Sequence, residues 1–421
     1  MSGVRTLQLA ARRLRPGAHR AARVIVLGLL EGVAGGELVV EDPMGTSRFG
    51  PSGGLRASVR VTDGRAFRAV IGAGSVGLAE GYIEGWWDCD DLVALLQIAA
   101  RRLGPTRPVL ERLSTLRGAL IDAVDRRRAS LARDRRNIAA HYDLGNDFFS
   151  CFLDPTLSYS CGVFSSPDEA MEVASRRKLD GICAKLALRP GDHVLEIGTG
   201  WGAFALHAAR RYGCRVTTTT ISSRQYDHAR AAVDAAGLAG QVQVLNVDYR
   251  ELEGRFDKLV SIEMIEAVDW RDYPSFFGHC AKLLGDEGLM ALQAIVIDER
   301  HYAAARRRQD FIKAMVFPGS CIPSIGALTS ALARGGDLSL VHLEDIGAHY
   351  AETIERWSQA FAAHRAQVAA LGFDARFMRL WEFYLAYCRA GFLERRISDV
   401  QAILAKSGWQ ATLSESLRGW T

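Results

Sequence analysis

Between residues 185 and 300, short apolar runs alternate with stretches of helical spacing. Asp192 to Ile197, Arg215 to Ile221, Val242 to Asn246, Lys258 to Ile262 and Leu289 to Ile297 are rich in aliphatic and β-branched residues and predict strands. Between the first two, Ala205, Ala208, Ala209 and Tyr212 share one face of a helix over 203–212, and Ser222 or Ser223 is placed to cap the next helix. This alternation predicts an α/β fold: a doubly wound, Rossmann-like parallel sheet with helices on both faces. After residue 300 the chain reads as helical insertions, interrupted by the turn-rich segment Phe317 to Ser324. The start of the chain differs. Glu37 to Glu41 and Leu55 to Val61 predict strands, Gly64 to Ile71 alternates and predicts another, and Gly72, Gly74 and Gly77 then break the pattern. Asp91 to Leu103 predicts an amphipathic helix. We therefore expect two domains, a smaller α+β domain over 1–135 and a larger one over 136–421.

The composition, 48% hydrophobic and 24% charged over 421 residues, supplies a sizeable core and excludes wholesale disorder. The net charge of +4 is too small a basic excess to ask for nucleic acid. Arginines are unevenly spread, with Arg5, Arg12, Arg13, Arg15, Arg20 and Arg23 in one cluster and Arg126, Arg127, Arg128, Arg133, Arg135 and Arg136 in another. Solvated helix faces produce such clusters. So does contact with anionic headgroups, at roughly 1 kcal/mol per basic residue. No apolar run reaches the roughly 20 residues that span a bilayer. Val24 to Leu30 is closed by Glu31 with no clear small-residue cleavage site after it, so a cytoplasmic protein is expected. Eight cysteines are scattered without a Cys-x-x-Cys pair, which points to a reducing compartment and to no metal site.

The most informative segment is Val194-Leu195-Glu196-Ile197-Gly198-Thr199-Gly200-Trp201-Gly202, a strand running into a glycine turn with a helix after it. Glycines let the backbone approach a ligand without a Cβ in the way. In a doubly wound sheet this turn faces the ligand crevice. Gly-x-Gly-x-Gly, with the acid Glu196 two residues before the first glycine, is similar to S-adenosylmethionine methyltransferases rather than to the Gly-x-Gly-x-x-Gly dehydrogenases. The second strand also ends in Thr220-Ile221-Ser222, without the acid a dehydrogenase places on the ribose.

A second signal precedes the sheet: His141-Tyr142-Asp143-Leu144-Gly145-Asn146-Asp147-Phe148-Phe149, then Leu157-Ser158-Tyr159-Ser160-Cys161. With the glycine turn, with Gly77 to Asp88 and with Phe317 to Ser324, it resembles the cyclopropane-fatty-acyl-phospholipid synthases and the related mycolic acid methyltransferases over most of the chain. The resemblance implies S-adenosylmethionine as cofactor. Tyr159 and Ser160 are its implied contacts before the sheet, and Gly198, Gly200 and Gly202 lie under it. Thr220, Ser222 and Gln225 are implied on the ribose side, with Asp248 and Tyr249 framing the adenine.

The implied reaction moves the sulfonium methyl onto the cis alkene of an unsaturated phospholipid acyl chain and leaves a carbocation. The site must be dry, and it must offer negative charge or aromatic faces to the cation. A base then removes a proton to close a cyclopropane. The resemblance implies a bound bicarbonate ion as that base, held at positions matching Cys161, Glu266, Tyr350 and Cys388, with Gln293 on the fifth strand. Three features depart from the pattern, the first being Glu266-Ala267-Val268 where the family usually reads Glu-His-Val. Gln293 stands where most synthases carry a histidine, and Glu263 stands where a glycine is common. A glutamine cannot carry charge or move a proton at neutral pH. Proton loss by another route would give a methylene- or methyl-branched chain instead of a ring.

An acyl chain must also leave the bilayer. Residues 1–135 are the expected docking module, with Trp86, Trp87 and the arginine clusters as anchors on the anionic inner face of the membrane, and the resemblance implies a homodimer. A methyltransferase for a soluble amine or phenol, and a non-catalytic lipid- or cofactor-binding protein, are the competing readings. Labelled S-adenosylmethionine and lipid vesicles separate the three.

Overall fold

The structure, a computed structural model, describes residues 16–102 and 144–410. The chain divides into two compact units, Met1–Leu110 and Glu111–Thr421. The domain boundary expected near 135 lies outside the described residues, as do most of the clustered arginines and the His141-Tyr142-Asp143 triplet.

The first unit holds α1 (Pro16–Leu30), β1 (Gly36–Asp42), β2 (Gly45–Phe49), β3 (Leu55–Val61), α2 (Arg65–Ala73), α3 (Ser75–Ile83), β4 (Trp87–Cys89) and α4 (Leu92–Arg102). Its four-stranded sheet has the order β2-β1-β3-β4. The strands expected at 37–41 and 55–61 are present and run parallel, with Leu38 opposite Ala57. The strand expected from Gly64 to Ile71 is instead α2. The apolar positions Ala66, Phe67, Val70 and Ile71 fit a helical repeat, and Ala66 and Phe67 bury that face. Asp63 Oδ1 accepts from the Arg65 N–H at 2.8 Å and opens the helix. Helices α2 and α3 then pass so closely that a Cβ on Gly77 would lie 1.9 Å from the Ala69 carbonyl oxygen.

Trp87 is not a membrane anchor. It is 2% exposed, and its indole N–H donates to the Leu78 carbonyl at 3.1 Å. Trp86 is half-buried beneath the Arg65 guanidinium, 4.7 Å from its ring centre. Among the described residues no helix is long and apolar enough to cross a membrane.

The second unit opens with the short α5 (Asn146–Ser150) and α6 (Met171–Lys185). There follow β5 (His193–Ile197), α7 (Ala203–Tyr212), β6 (Arg215–Thr219), α8 (Ser223–Ala235), β7 (Val242–Leu245), β8 (Phe256–Ile262), α9 (Tyr273–Leu283), β9 (Leu284–Ile297), α10 (Glu299–Ala305) and α11 (Ile325–Gly335). The chain ends its described part with β10 (Ser339–Asp345), α12 (Gly347–Ala363), α13 (Arg365–Ala370), α14 (Ala375–Leu393) and β11 (Ile397–Ala405). The seven-stranded sheet has the order β10-β11-β9-β8-β5-β6-β7. Only β11 runs against its neighbours. This is the expected doubly wound, mostly parallel α/β fold, and the strand order reverses at β5, beside the glycine turn.

Apolar side chains cover both sheet faces, with Phe204, Ala208, Leu179 and Ile182 in one core cluster and Phe276, Phe277, Leu328 and Leu332 in another. Strands β10 and β11 were not expected among the helical insertions. From Val400 to Ala405, β11 is buried at every position, so it lacks the in-out alternation that marks a strand in sequence. All eight cysteines are free thiols.

Candidate active site

The glycine turn follows β5 directly. Gly198, Gly200 and Gly202 have φ of 104°, 52° and 95°, the left-handed backbone that glycine adopts without strain. A Cβ on Gly198 would come within 3.2 Å of the Met264 side chain, so any other residue there would be tight as well as strained. Glu196, buried at the end of β5, accepts from the Thr218 hydroxyl at 2.6 Å, which itself lies 2.7 Å from the Thr199 hydroxyl. Burial pushes this carboxyl up to about 8, and the Thr218 bond opposes the shift.

Beyond β6, the Thr220 hydroxyl donates to Gln225 Oε1 at 2.8 Å and accepts the Ser222 N–H at 3.1 Å. Ser222 caps α8 by accepting the Gln225 N–H at 3.4 Å, which is the cap expected there. Beyond β7, Asp248 is clamped by the Arg250 guanidinium at 2.8 and 2.9 Å. Tyr249 packs edge-on against Phe276 with ring centres 5.4 Å apart. Glu196, the three glycines, Thr220, Ser222, Gln225, Asp248 and Tyr249 thus line the carboxyl edge of β5, β6 and β7. Left-handed glycines, open backbone and a row of hydroxyl, amide and carboxylate groups fit S-adenosylmethionine, with its sugar, base and amino-acid parts.

The second cluster gathers at the ends of β8 and β9 and the start of β11. Glu263 follows β8 with φ +48°, a strained position for a residue with a side chain. Its N–H donates to the Gln293 carbonyl at 2.8 Å. Its carboxylate takes three further hydrogen bonds. Oε1 accepts from the Cys161 N–H (2.9 Å) and from Gln293 Nε2 (2.8 Å), and Oε2 accepts from the Tyr350 hydroxyl (2.6 Å). Burial raises the Glu263 pKa, against the Tyr350 and Cys161 bonds and the Lys178 charge. Cys161, Tyr350 and Gln293, the expected holders of an anion, therefore surround a carboxylate of the chain itself. Cys161 takes part through its backbone, since its buried thiol donates to the Gly162 carbonyl at 3.2 Å.

Glu266 lies beside this group. Its Oε1 accepts from the Ile295 N–H at 2.6 Å, and its buried Oε2 has no hydrogen-bond partner among the described residues. Burial, then the Glu263 charge, pushes its carboxyl up to about 8. Cys388 is not drawn into the cluster by any hydrogen bond among the described residues. It sits half-buried on α14, and burial pushes its thiol up to about 12.

Several site residues escape sequence reasoning. Lys178 on α6 is 2% exposed, and its Nζ donates to the Ser160 hydroxyl at 2.8 Å. Its one sequence signal is its spacing, three residues after Ser175 and four before Ile182 on a buried helical face. Asp399 and Gln401 on β11 join Gln293, and Lys185 on α6 joins Gln401.

An aromatic wall backs the site. The Tyr159 ring lies 5.2 Å from Phe149 and 5.3 Å from Trp357, and its hydroxyl is 2.9 Å from that of Tyr384. Tyr350 stacks on Phe392 at 4.4 Å and 24°.

A doubly wound sheet with this glycine turn and this row of polar groups defines an S-adenosylmethionine-dependent methyltransferase. Residues 129–402 match the family model of mycolic acid cyclopropane synthetase. The chain is 37% identical, over 80% of either chain, to the tuberculostearic acid methyltransferase UfaA1 of Mycobacterium tuberculosis. It is 33% identical to the cyclopropane-fatty-acyl-phospholipid synthase of Escherichia coli, over 84% of this chain and 89% of that one. Among solved structures, mycolic acid cyclopropane synthase CmaA1 complexed with SAH and CTAB is similar, with a TM-score of 0.61 and 30% identity over 65% of this chain and 98% of that one. The chain belongs to the mycolic acid cyclopropane synthetase family, and its cofactor is S-adenosylmethionine.

Proposed function

We propose that the enzyme methylates the cis double bond of an unsaturated fatty acyl chain in a membrane phospholipid, and that Glu263 accepts the proton the chain then gives up. The seat of Glu263 carries this reading: a carboxylate held by Cys161, Tyr350 and Gln293 lies where the resemblance implies a bound anion. S-adenosylmethionine supplies a sulfonium methyl, electrophilic enough for an isolated alkene. The aromatic wall around Tyr159 and Trp357 keeps water from the resulting acyl carbocation and offers it π faces. The names of the two relatives, one a tuberculostearic acid methyltransferase and one a cyclopropane-fatty-acyl-phospholipid synthase, support the substrate class.

Glu263 also favours a branched product over the ring that the resemblance implies. Fast loss of a proton from the new methyl group lets its C–H electron pair bond to the cationic carbon and close a cyclopropane. With slower loss, a hydride moves from the methyl-bearing carbon to its cationic neighbour. The charge then rests on the more substituted carbon, and proton loss from the methyl gives a methylene branch. Three donors already occupy most of the lone pairs that a leaving proton must reach on Glu263, and Gln293 cannot relay a proton, which slows its removal and gives the hydride time to move. Incubation with labelled S-adenosylmethionine and unsaturated phospholipid vesicles is expected to label the acyl fraction and to show exocyclic methylene protons by nuclear magnetic resonance. Cyclopropane signals in their place overturn the branched product. Label confined to soluble amines or phenols overturns the lipid substrate.

The first unit is proposed as the docking module of a peripheral, homodimeric enzyme at the inner face of the membrane. In α1, Val24 and Ile25 are 67% and 52% exposed, near the exposed Arg20. Such a face suits an interface with anionic lipid. Co-sedimentation with anionic vesicles is expected to weaken as salt rises, and salt-independent binding counts against the docking role.

A further inference from the structure

Asp399 is a fully buried acid that the proposed reaction has not used. It lies near the start of β11, opposite Ile295 of β9, and two residues before Gln401, which pairs with Gln293. Gln293 Nε2 donates to Asp399 Oδ2 at 2.9 Å and to Glu263 Oε1 at 2.8 Å, so one amide group spans both acids.

The orientation of that amide is dictated from outside. Lys185 Nζ donates to Gln401 Oε1 at 2.6 Å. An ammonium group has no acceptor, so Gln401 must turn its oxygen to Lys185 and its NH2 to Gln293. Gln401 Nε2 then donates to Gln293 Oε1 at 3.0 Å, and Gln293 has only N–H groups left for the acids. Lys185 itself pairs with Glu344.

The charge count is unbalanced without a proton. Glu263, Glu266 and Tyr350 face Asp399, as does the Cys161 thiol, and Lys178 is the cation that acts on the group. Two adjacent buried carboxylates do not both ionise. Asp399 Oδ1 is also buried with no donor among the described residues, which is costly for a charged oxygen; a proton on that carboxyl relieves the cost by bonding to the neighbouring Glu263 carboxylate.

We propose that Asp399 and Glu263 share one proton, with Asp399 the protonated member, and that Asp399 is a positioning residue that keeps Glu263 ionised as the proton acceptor. The inference rests on the reaction proposed above. When Glu263 takes a proton from the acyl methyl group, the C–H electron pair stays with the lipid, the pair holds two protons, and one leaves to solvent between turnovers. Sharing stabilises the singly charged pair, so its two ionisations are driven apart. Burial and the Glu263 charge push Asp399 upward, in keeping with its protonated role.

The test is the pH profile of acyl methylation with saturating cofactor on phospholipid vesicles. The native enzyme is expected to lose rate on an acid limb, where the pair is doubly protonated, and on an alkaline limb, where both acids ionise against one Lys178. Asp399→Asn is expected to lose the alkaline limb. Its acid limb should move up by a pH unit or more, because a lone buried Glu263 holds its proton more tightly, and its rate at neutral pH should fall about tenfold. A uniform fall in rate with both limbs in place overturns the proposal. If Asp399→Asn does not fold, native protein carrying carboxyl-labelled aspartate decides by nuclear magnetic resonance. One aspartate is expected to stay protonated at neutral pH, and its absence overturns the pair. That resonance does not depend on turnover, so failure of the lipid reaction and failure of the proton-sharing pair are told apart.

Discussion

Glu263→Gln is expected to lower acyl methylation by about 10²- to 10⁴-fold, the usual worth of a general base. The amide is nearly the same size. Its oxygen can still accept from Cys161 and Gln293 at the 2.9 and 2.8 Å positions, and its NH2 can donate to the Tyr350 hydroxyl. Folding and cofactor affinity should therefore survive, which calorimetric titration with S-adenosylhomocysteine checks. Glu263→Gly goes further: it removes the side chain from the seat and relieves the φ of +48°. The emptied cage keeps the Cys161 N–H, the Tyr350 hydroxyl and the Gln293 amide, all donors suited to a small anion. Its activity is expected to rise with added bicarbonate, while the native enzyme is indifferent to it. Native enzyme that slows when carbon dioxide is stripped from the buffer would overturn the role given to Glu263.

Lys178→Met is expected to destabilise the second unit by about 3–5 kcal/mol near neutral pH, the cost of leaving a buried charge without its partner. Lys178 is 2% exposed and acts on Glu263, Cys161, Asp154 and Asp399. Without it, the Glu263 pKa rises further above its ordinary 4.5. A carboxyl raised in the folded state contributes stability that is present below its unfolded value and lost as pH climbs through the folded one. The deficit of the variant should accordingly be small near pH 4.5 and grow towards pH 8. Urea unfolding at several pH values measures it, and a deficit that does not vary with pH contradicts this account.

The cofactor half of the site was legible because it is local. Glu196, the three glycines, Thr220 and Ser222 sit at the ends of consecutive strands, where apolar runs stop and polar residues begin. The acid cluster is not local. Glu263 meets Cys161 across 102 positions, Tyr350 across 87 and Gln293 across 30, so its chemistry emerges only once the sheet has formed. Its presence in place of a glycine was visible, but its partners were not. Helix α2 was misread because Ala66, Phe67, Val70 and Ile71 satisfy a loose alternation as well as a helical repeat. Trp87 was misread because a tryptophan looks alike in the sequence whether it faces lipid or, as here, donates to the Leu78 carbonyl inside the fold.

The left-handed backbone at Glu263 carries an evolutionary consequence. Glycine occupies such a position freely, whereas any other residue there costs about 1–2 kcal/mol. Two of the four glycine codons lie one base from a glutamate codon, so a single mutation exchanges the two residues at this position and, on the reading of Glu263 proposed above, would exchange a borrowed base for one carried in the chain. The penalty is small enough for either form to fold. On that reading, the lipid product and the need for dissolved carbon dioxide are inherited together, as a single change at one backbone position.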